Sequence, residues 1–277
     1  MVLRDILKKG ADTLREAGII EADLDAWYLL SYCMGINKST YYMKQDEIPD
    51  MALADNYMSL VEERKTRKPL QYITGSQEFM GIDFKVNENV LIPRQDTEIL
   101  VELALKFVKG KKVLDMCTGS ACIATSICKL GQPFEVWASD ISAKALELAK
   151  LNAESNEASV SFVQSDIWDN IDGKFDVVIS NPPYITAVEM RELMPEVKEY
   201  EPELALYGGE DGLDIYKRII ADAKGHMNEG AYILMEIGCG QAGQVSELLV
   251  KYGFSEVKVE KDLAGLDRVV YGQYMEE

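Results

Sequence analysis

Apolar residues at the start of the chain recur at three- and four-residue spacing, Leu3, Ile6, Leu7, Ala11 and Leu14, with charges between them. That period predicts an amphipathic helix with one face turned inward. Leu24, Trp27, Tyr28, Leu29 and Tyr32 repeat the pattern, and residues 52–68 supply a further helix that closes on basic residues. Residues 1–75 therefore read as a small all-helical domain. From Gly75 to Val86 the pattern changes to two short alternating runs around Gly81, which predicts a β-hairpin, so that residues 76–90 read as a linker. In residues 91–277, apolar β-rich runs alternate with helical segments, with strands predicted at 112–116, 135–139, 160–164, 175–180 and 231–237. Such alternation implies a parallel sheet with helices on both faces. The last two runs, 256–260 and 268–274, lie too close together for a helical crossover and should pair antiparallel.

Composition narrows the class without naming it. The chain has 277 residues, 47% hydrophobic and 27% charged, which is ordinary globular usage and room for a large domain beside a small one. Its formal charge is −18. Residues 1–75 hold ten basic and twelve acidic side chains, so the remaining 202 residues carry −16. That balance opposes electrostatic adhesion to nucleic acid or to anionic lipid, and no direct nucleic-acid or membrane partner is expected. No run approaches the roughly 18 apolar residues of a membrane span, and the first residues lack a signal-peptide core, so the protein is expected in the cytoplasm. Five cysteines, Cys33, Cys117, Cys122, Cys128 and Cys239, form no CxxC pair and are expected as thiols. The single histidine, His226, leaves no metal set and no histidine-dependent triad, and its plain reading is a polar residue near a helix end. Arg64, Lys65, Arg67 and Lys68 form one basic run, which complements the negative end of a helix dipole or, in the alternative, touches RNA or helps to hold a protein partner.

Three places carry candidate chemistry. The first is the turn after the strand at 112–116, Cys117, Thr118, Gly119, Ser120 and Ala121, whose small residues let backbone N–H groups approach a ligand. Cys117 and Ala121 stand where glycines are commonest, and a positive φ at Cys117 would be strained. The second is Asp140, at the end of the next strand, placed to accept the hydroxyls of a ribose or simply to cap the helix that follows. One strand further on, Asp166 could take an adenine amino group while Ile167 flanks the ring. The third is Asn181-Pro182-Pro183-Tyr184, directly after an apolar strand. Two prolines stiffen this segment and present the Asn181 side-chain oxygen and the Pro182 carbonyl as acceptors. A planar NH2 group held by two acceptors gains electron density on nitrogen and is aimed at an electrophile. Tyr184 would wall the substrate plane.

Together these motifs resemble S-adenosylmethionine-dependent methyltransferases that act on planar nitrogen. Further segments, 69–75, Glu78-Phe79, 90–98, 201–206, 208–213 and 262–268, are similar to the HemK/PrmC family, the N5-glutamine methyltransferases of peptide chain release factors. The resemblance spans nearly the whole chain. It implies a Rossmann-like class I methyltransferase sheet with a terminal antiparallel hairpin, preceded by a helical substrate-recognition domain over 1–75. It places the cofactor S-adenosyl-L-methionine on Cys117 to Ala121, Asp140, Asp166, Ile167 and Asn181. Asn181, Pro182, Pro183 and Tyr184 would hold the glutamine of a GGQ-type motif, with no metal. Gln95 stands where the family usually has proline. Three alternatives remain open at this point: a ribosomal-protein glutamine methyltransferase, a nucleic-acid adenine or cytosine methyltransferase, and a non-enzymatic module that has lost its cofactor. Oligomeric state is not legible.

Overall fold

The computed structural model of the protein describes residues 1–275. Five helices come first: α1 (Leu3–Glu16), α2 (Ala22–Met34), α3 (Lys38–Lys44), α4 (Met51–Lys65) and α5 (Leu70–Thr74). A hairpin follows, β1 (Ser76–Phe79) and β2 (Ile82–Lys85), then α6 (Asp96–Ala104), β3 (Lys112–Met116), α7 (Cys122–Leu130), β4 (Glu135–Asp140) and α8 (Ala143–Ser155). Next are β5 (Ser161–Gln164), β6 (Phe175–Ser180), α9 (Glu189–Glu192), α10 (Pro195–Tyr200) and α11 (Asp214–Asp222). The chain ends with β7 (Met227–Glu236), α12 (Ala242–Lys251), β8 (Phe254–Lys261) and β9 (Asp267–Tyr274). It divides into two compact units, Met1–Gly75 with Met194–Tyr200, and Ser76–Leu193 with the chain from Glu201 on.

The helical unit is built on the predicted face of α1, where Leu3, Ile6, Ala11 and Leu14 are buried. The second helix departs from expectation. Ala22, Asp25, Ala26, Leu29 and Leu30 are its buried residues, while Leu24, Tyr28 and Tyr32 are exposed. The physical reason is polar. Arg64 on α4 is buried and its Nε donates to Asp25 Oδ2 at 2.8 Å, with Nη2 on Glu196 Oε1 at 3.1 Å. An ion pair drawn inside fixes which way α2 is turned, and the small Ala22 and Ala26 fill the same face. The rest of the basic run is also engaged within this unit: Lys65 with Glu62, Lys68 with Glu63, and Arg67 with Glu196 and the Gly18 carbonyl. Burial raises the Asp25 carboxyl, opposed by its bond to Arg64.

In the second unit, seven strands lie in the order β5-β4-β3-β6-β7-β9-β8. β5, β4, β3, β6 and β7 are parallel, and β9 runs antiparallel between β7 and β8. Side chains alternate between two apolar layers: Leu114, Met116, Val178, Ile233 and Met235 on one face, Val113, Val177, Ile179 and Leu234 on the other. Coverage of both faces is why these strands read as continuous apolar runs. β7 begins at Met227, four residues before its expected start, because Phe175 pairs with Met227 past a register shift. The β1–β2 hairpin forms around Gly81 as expected. His226 stacks its ring on Trp168, 4.6 Å between centroids.

Removing Arg64 strands the buried Asp25 carboxylate, while Glu196 keeps Arg67. Arg64→Ala should therefore cost about 3 kcal/mol or more in the helical unit, measured by chemical denaturation of the full chain followed by circular dichroism. A loss below about 0.5 kcal/mol, the scale of a solvated surface pair, would show that the pair does not organise this unit.

Candidate active site

The chain leaves β3 for β4 on one side and returns to β6 on the other, so β3 and β6 flank the point where strand order reverses. Crevices at the carboxyl ends of such strands bind ligands. Here the two ends are level. Met116 is in register with Ser180, and the Ser180 hydroxyl donates to the Met116 carbonyl at 2.7 Å. Residues 117–121 and 181–184 therefore leave the sheet side by side. β4 supplies the third wall: Thr118 N–H donates to the Ser139 carbonyl at 3.0 Å, and Gly119 N–H to Asp140 Oδ2 at 2.9 Å. The other oxygen, Asp140 Oδ1, accepts from Ser142 N–H at 2.9 Å. Burial raises the Asp140 carboxyl, against these two N–H groups.

One cavity is lined by Cys117, Thr118, Gly119, Ser120, Asp140, Asp166, Ile167, Asn181 and Pro183, together with Arg94, Thr97, Ile215 and Arg218. Three of the singled-out residues lie off its wall. Ala121 is fully buried as the N-cap of α7, and Pro182 is buried. Tyr184 packs against the apolar layer that contains Leu114 and Tyr216, and its phenol donates to Glu236 Oε1 at 3.4 Å. Asp166 lies on the wall but its carboxylate pairs with Arg218 at 2.9 Å.

The backbone around the cavity is strained. Cys117 has φ +61°, Ala121 +61° and Ile167 +53°, all in the left-handed region, and Gly119 joins them at +53°. Cys117 thus takes the strained of the two conformations considered for it, and a β-branched Ile at positive φ is rarer still. Surrounding bonds over-determine these turns. Asp115 Oδ2, fully buried, accepts from the Thr118 hydroxyl at 2.6 Å and from Ala124 N–H at 3.0 Å. Burial pushes this carboxyl up to about 7, countered by the same two donors. Asn152 on α8 donates to the Ser120 carbonyl at 2.9 Å and exchanges two bonds with the Lys85 backbone. Strain held in place by its surroundings marks functional sites.

The Asn181 segment is held from behind. Asn181 Nδ2 donates to Thr97 Oγ1 on α6 at 3.2 Å. Gln241 Nε2 donates to the Tyr184 carbonyl at 3.1 Å. Gly208 lies so close that a Cβ there would meet the Pro183 oxygen and Tyr184 Cα, each at 2.7 Å. Sequence reading did not single out Asp115, Thr97, Asn152, Glu236 or Gly208 in these roles. Their only linear signals were an acidic residue at or next to the end of an apolar strand, twice, and a glycine pair at 208–209.

A family model for the PrmC N-terminal domain matches residues 5–75, and one for the methyltransferase small domain matches 95–196. The chain is 41% identical to the release factor glutamine methyltransferase of Clostridium acetobutylicum, with 98% of each covered. It is 39% identical to that of Geobacter sulfurreducens, covering 98% of this chain and 96% of the relative. Among solved structures, a methyltransferase from Pyrococcus furiosus aligns over 80% of this chain and 100% of its own, with TM-score 0.57 and 20% identity. The 16S rRNA N2 G1207 methyltransferase of T. thermophilus, in complex with AdoMet and guanosine, aligns over 72% and 49%, with TM-score 0.52 and 15% identity. These two likenesses concern the fold.

If the left-handed turns store strain, glycine should relieve it and a side chain should add it. Cys117→Gly should stabilise the protein and Gly119→Ala, where a Cβ meets nothing within 4 Å, should destabilise it, each by about 1 kcal/mol. Urea midpoints decide this, and opposite or null shifts would show the turns to be unstrained.

Proposed function

The chain belongs to the release factor glutamine methyltransferase family, and from that membership we propose how its own residues transfer a methyl group to the side-chain nitrogen of a GGQ-type glutamine in a release factor. S-adenosyl-L-methionine, when bound, supplies the electrophilic sulfonium methyl group. The cavity suits such a ligand on three counts: a carboxylate at Asp140, an open glycine turn at Gly119 with no atom where a Cβ would lie, and apolar walls at Ile167 and Ile215. We assign the ribose hydroxyls to Asp140, the adenine edge to Asp166 and its face to Ile167, and the remaining polar end to the turn Cys117 to Ala121.

The observation that carries the reading is the tethering of Asn181. Its Nδ2 is spent on Thr97, which leaves Oδ1 as the end of the amide free to accept from a substrate. Oδ1 and the Pro182 carbonyl then take the two N–H bonds of the glutamine amide, localise its lone pair on nitrogen and aim it. Pro183 keeps the segment stiff, and Tyr184 braces it through the phenol. An amide nitrogen becomes more acidic as it is alkylated, so its proton leaves late and the two acceptors suffice without a strong base. His226, stacked on Trp168, is not among the cavity's residues.

We assign recognition of the protein substrate to residues 1–75, with 76–90 as linker to the catalytic residues 91–277, and place the reaction in the cytoplasm, where translation termination presents the substrate. The −16 borne by residues 76–277 disfavours a polyanionic acceptor.

Tritiated S-adenosylmethionine with candidate release factors should label one glutamine on peptide mapping; label that enters only adenine-containing oligonucleotides would overturn the assignment. Asn181→Ala should lower kcat by about 100-fold or more with cofactor affinity within two-fold of the parent. Asp140→Ala should instead weaken cofactor binding by roughly 10- to 100-fold, the scale of bonds to a charged group, read by calorimetric titration. The reverse pattern would reject both roles.

A further inference from the structure

Asn152 lies within α8 at 1% exposure, and the transfer described above makes no use of it. Its amide nitrogen donates to the Ser120 carbonyl at 2.9 Å and to the Lys85 carbonyl at 3.0 Å, and its oxygen accepts from Lys85 N–H at 2.8 Å. Both side-chain donors are thus used, and every partner is main chain. One buried amide thereby joins the turn that follows β3 to β2, the second strand of the hairpin.

Neither helix propensity nor anchoring of the hairpin accounts for this placement. Asparagine is a poor residue for a helix interior, and its amide is costly to bury unless its bonds are made. The hairpin has two other fastenings. Asn156 Nδ2, at the end of α8, donates to the Asp83 carbonyl at 3.0 Å, and Met80 N–H donates to Glu98 Oε1 on α6 at 2.6 Å. The bond to Ser120 is the one that these do not duplicate.

That bond falls where the backbone is strained. Ser120 lies between Gly119 at φ +53° and Ala121 at φ +61°. The peptide that joins Ser120 to Ala121 is held at both ends, since Asn152 bonds its carbonyl and the Thr118 carbonyl accepts its N–H at 2.8 Å. A peptide plane fixed at both ends resists rotation, so Ala121 keeps its left-handed setting. Beyond Lys85 the chain runs on to Asn89 and Val90, which line the same cavity as Ser120.

We propose that Asn152 is a positioning residue that keeps the turn in its binding shape by splinting it to the β1–β2 hairpin, which makes residues 82–85 part of the cofactor site. This rests on the reading of Cys117 to Ala121 as the turn that receives the cofactor. A splinted turn meets its ligand without first losing backbone freedom, and the ordering cost saved appears as affinity. The Asn181 segment, on the β6 side of the cavity, is held by other bonds, so the methyl transfer itself should be little affected.

The test separates cofactor affinity from turnover. Asn152→Asp keeps the shape of the side chain and its acceptor for Lys85 N–H, but sets a carboxylate oxygen against two carbonyls. It should weaken binding of S-adenosylmethionine by about ten-fold or more, read by calorimetric titration, and raise the cofactor KM in step. At saturating cofactor, kcat should stay within about three-fold of the parent. A merely structural loss would instead lower kcat and leave the affinity of the folded fraction unmoved. Asn156→Ala, which removes a hairpin bond and leaves the turn intact, should keep parental affinity within about two-fold. In the parent, exchange of the Lys85 amide hydrogen, followed by NMR, should slow by about five-fold or more on adding S-adenosylmethionine. Parental affinity in Asn152→Asp, an equal loss in Asn156→Ala, or a Lys85 amide indifferent to the cofactor would each overturn the proposal. Should Asn152→Asp not fold, the Lys85 amide of the parent decides alone. Failure of the cofactor reading itself would appear separately, as unaltered cofactor binding in Asp140→Ala.

Discussion

Everything at the site depends on β3 and β6 ending level with one another. Met116 opposite Ser180, clipped by the serine hydroxyl, brings two chain segments more than sixty residues apart out of the sheet together. A one-residue slip would turn each side chain to the other face and carry Asn181 away from the turn at Gly119. In the observed register Val178 packs into one apolar layer and Val177 and Ile179 into the other, and the Ser180 hydroxyl meets Met116. Core packing thereby determines where a polar group of the proposed clamp stands.

The second dependence is on buried acids. Asp115 is next to last in β3 and Glu236 is last in β7, and each sits where burial opposes its charge. Taken as contributions to stability, both are poor. A carboxyl whose pKa rises on folding loses stability as pH climbs from its ordinary range toward the raised value, because the unfolded chain gives up the proton first. Their placement makes sense as geometry: one holds three left-handed residues in a turn, the other receives the phenol of Tyr184 behind the Asn181 segment. The acids trade stability for orientation at the two walls of one cavity.

Much of this was legible in the linear chain, and the limits have a physical pattern. Strand runs and their parallel order followed from apolar continuity, and the terminal hairpin from the short spacing before residue 268. Asn181 to Tyr184 stood out because two prolines after a buried strand have few other uses. The inward face of α2 was misjudged, since large apolar letters outweighed Asp25, whose burial depends on Arg64 thirty-nine residues away. Thr97, Asn152 and Glu236 were silent for the same reason. Each acts on a partner more than thirty residues distant, and a lone polar residue carries no period. Cys117 and Ala121 were conspicuous by their chemistry, yet their φ values could not be read from letters, because bonds from Asp115 and Asn152 impose them.

The economy of the site follows from the nature of a planar nitrogen. Its reluctance to attack lies in a delocalised lone pair rather than in a proton that must first be removed, so acceptors of fixed position do the work for which other transfers need a base. Acceptors must then be known in sense as well as in place, because an amide reversed by half a turn has the same shape and the opposite hydrogen-bonding character. Packing cannot tell the two ends of Asn181 apart. Only a hydrogen-bonding neighbour can, and in this fold that neighbour is Thr97, whose hydroxyl oxygen accepts from Asn181 Nδ2 at 3.2 Å.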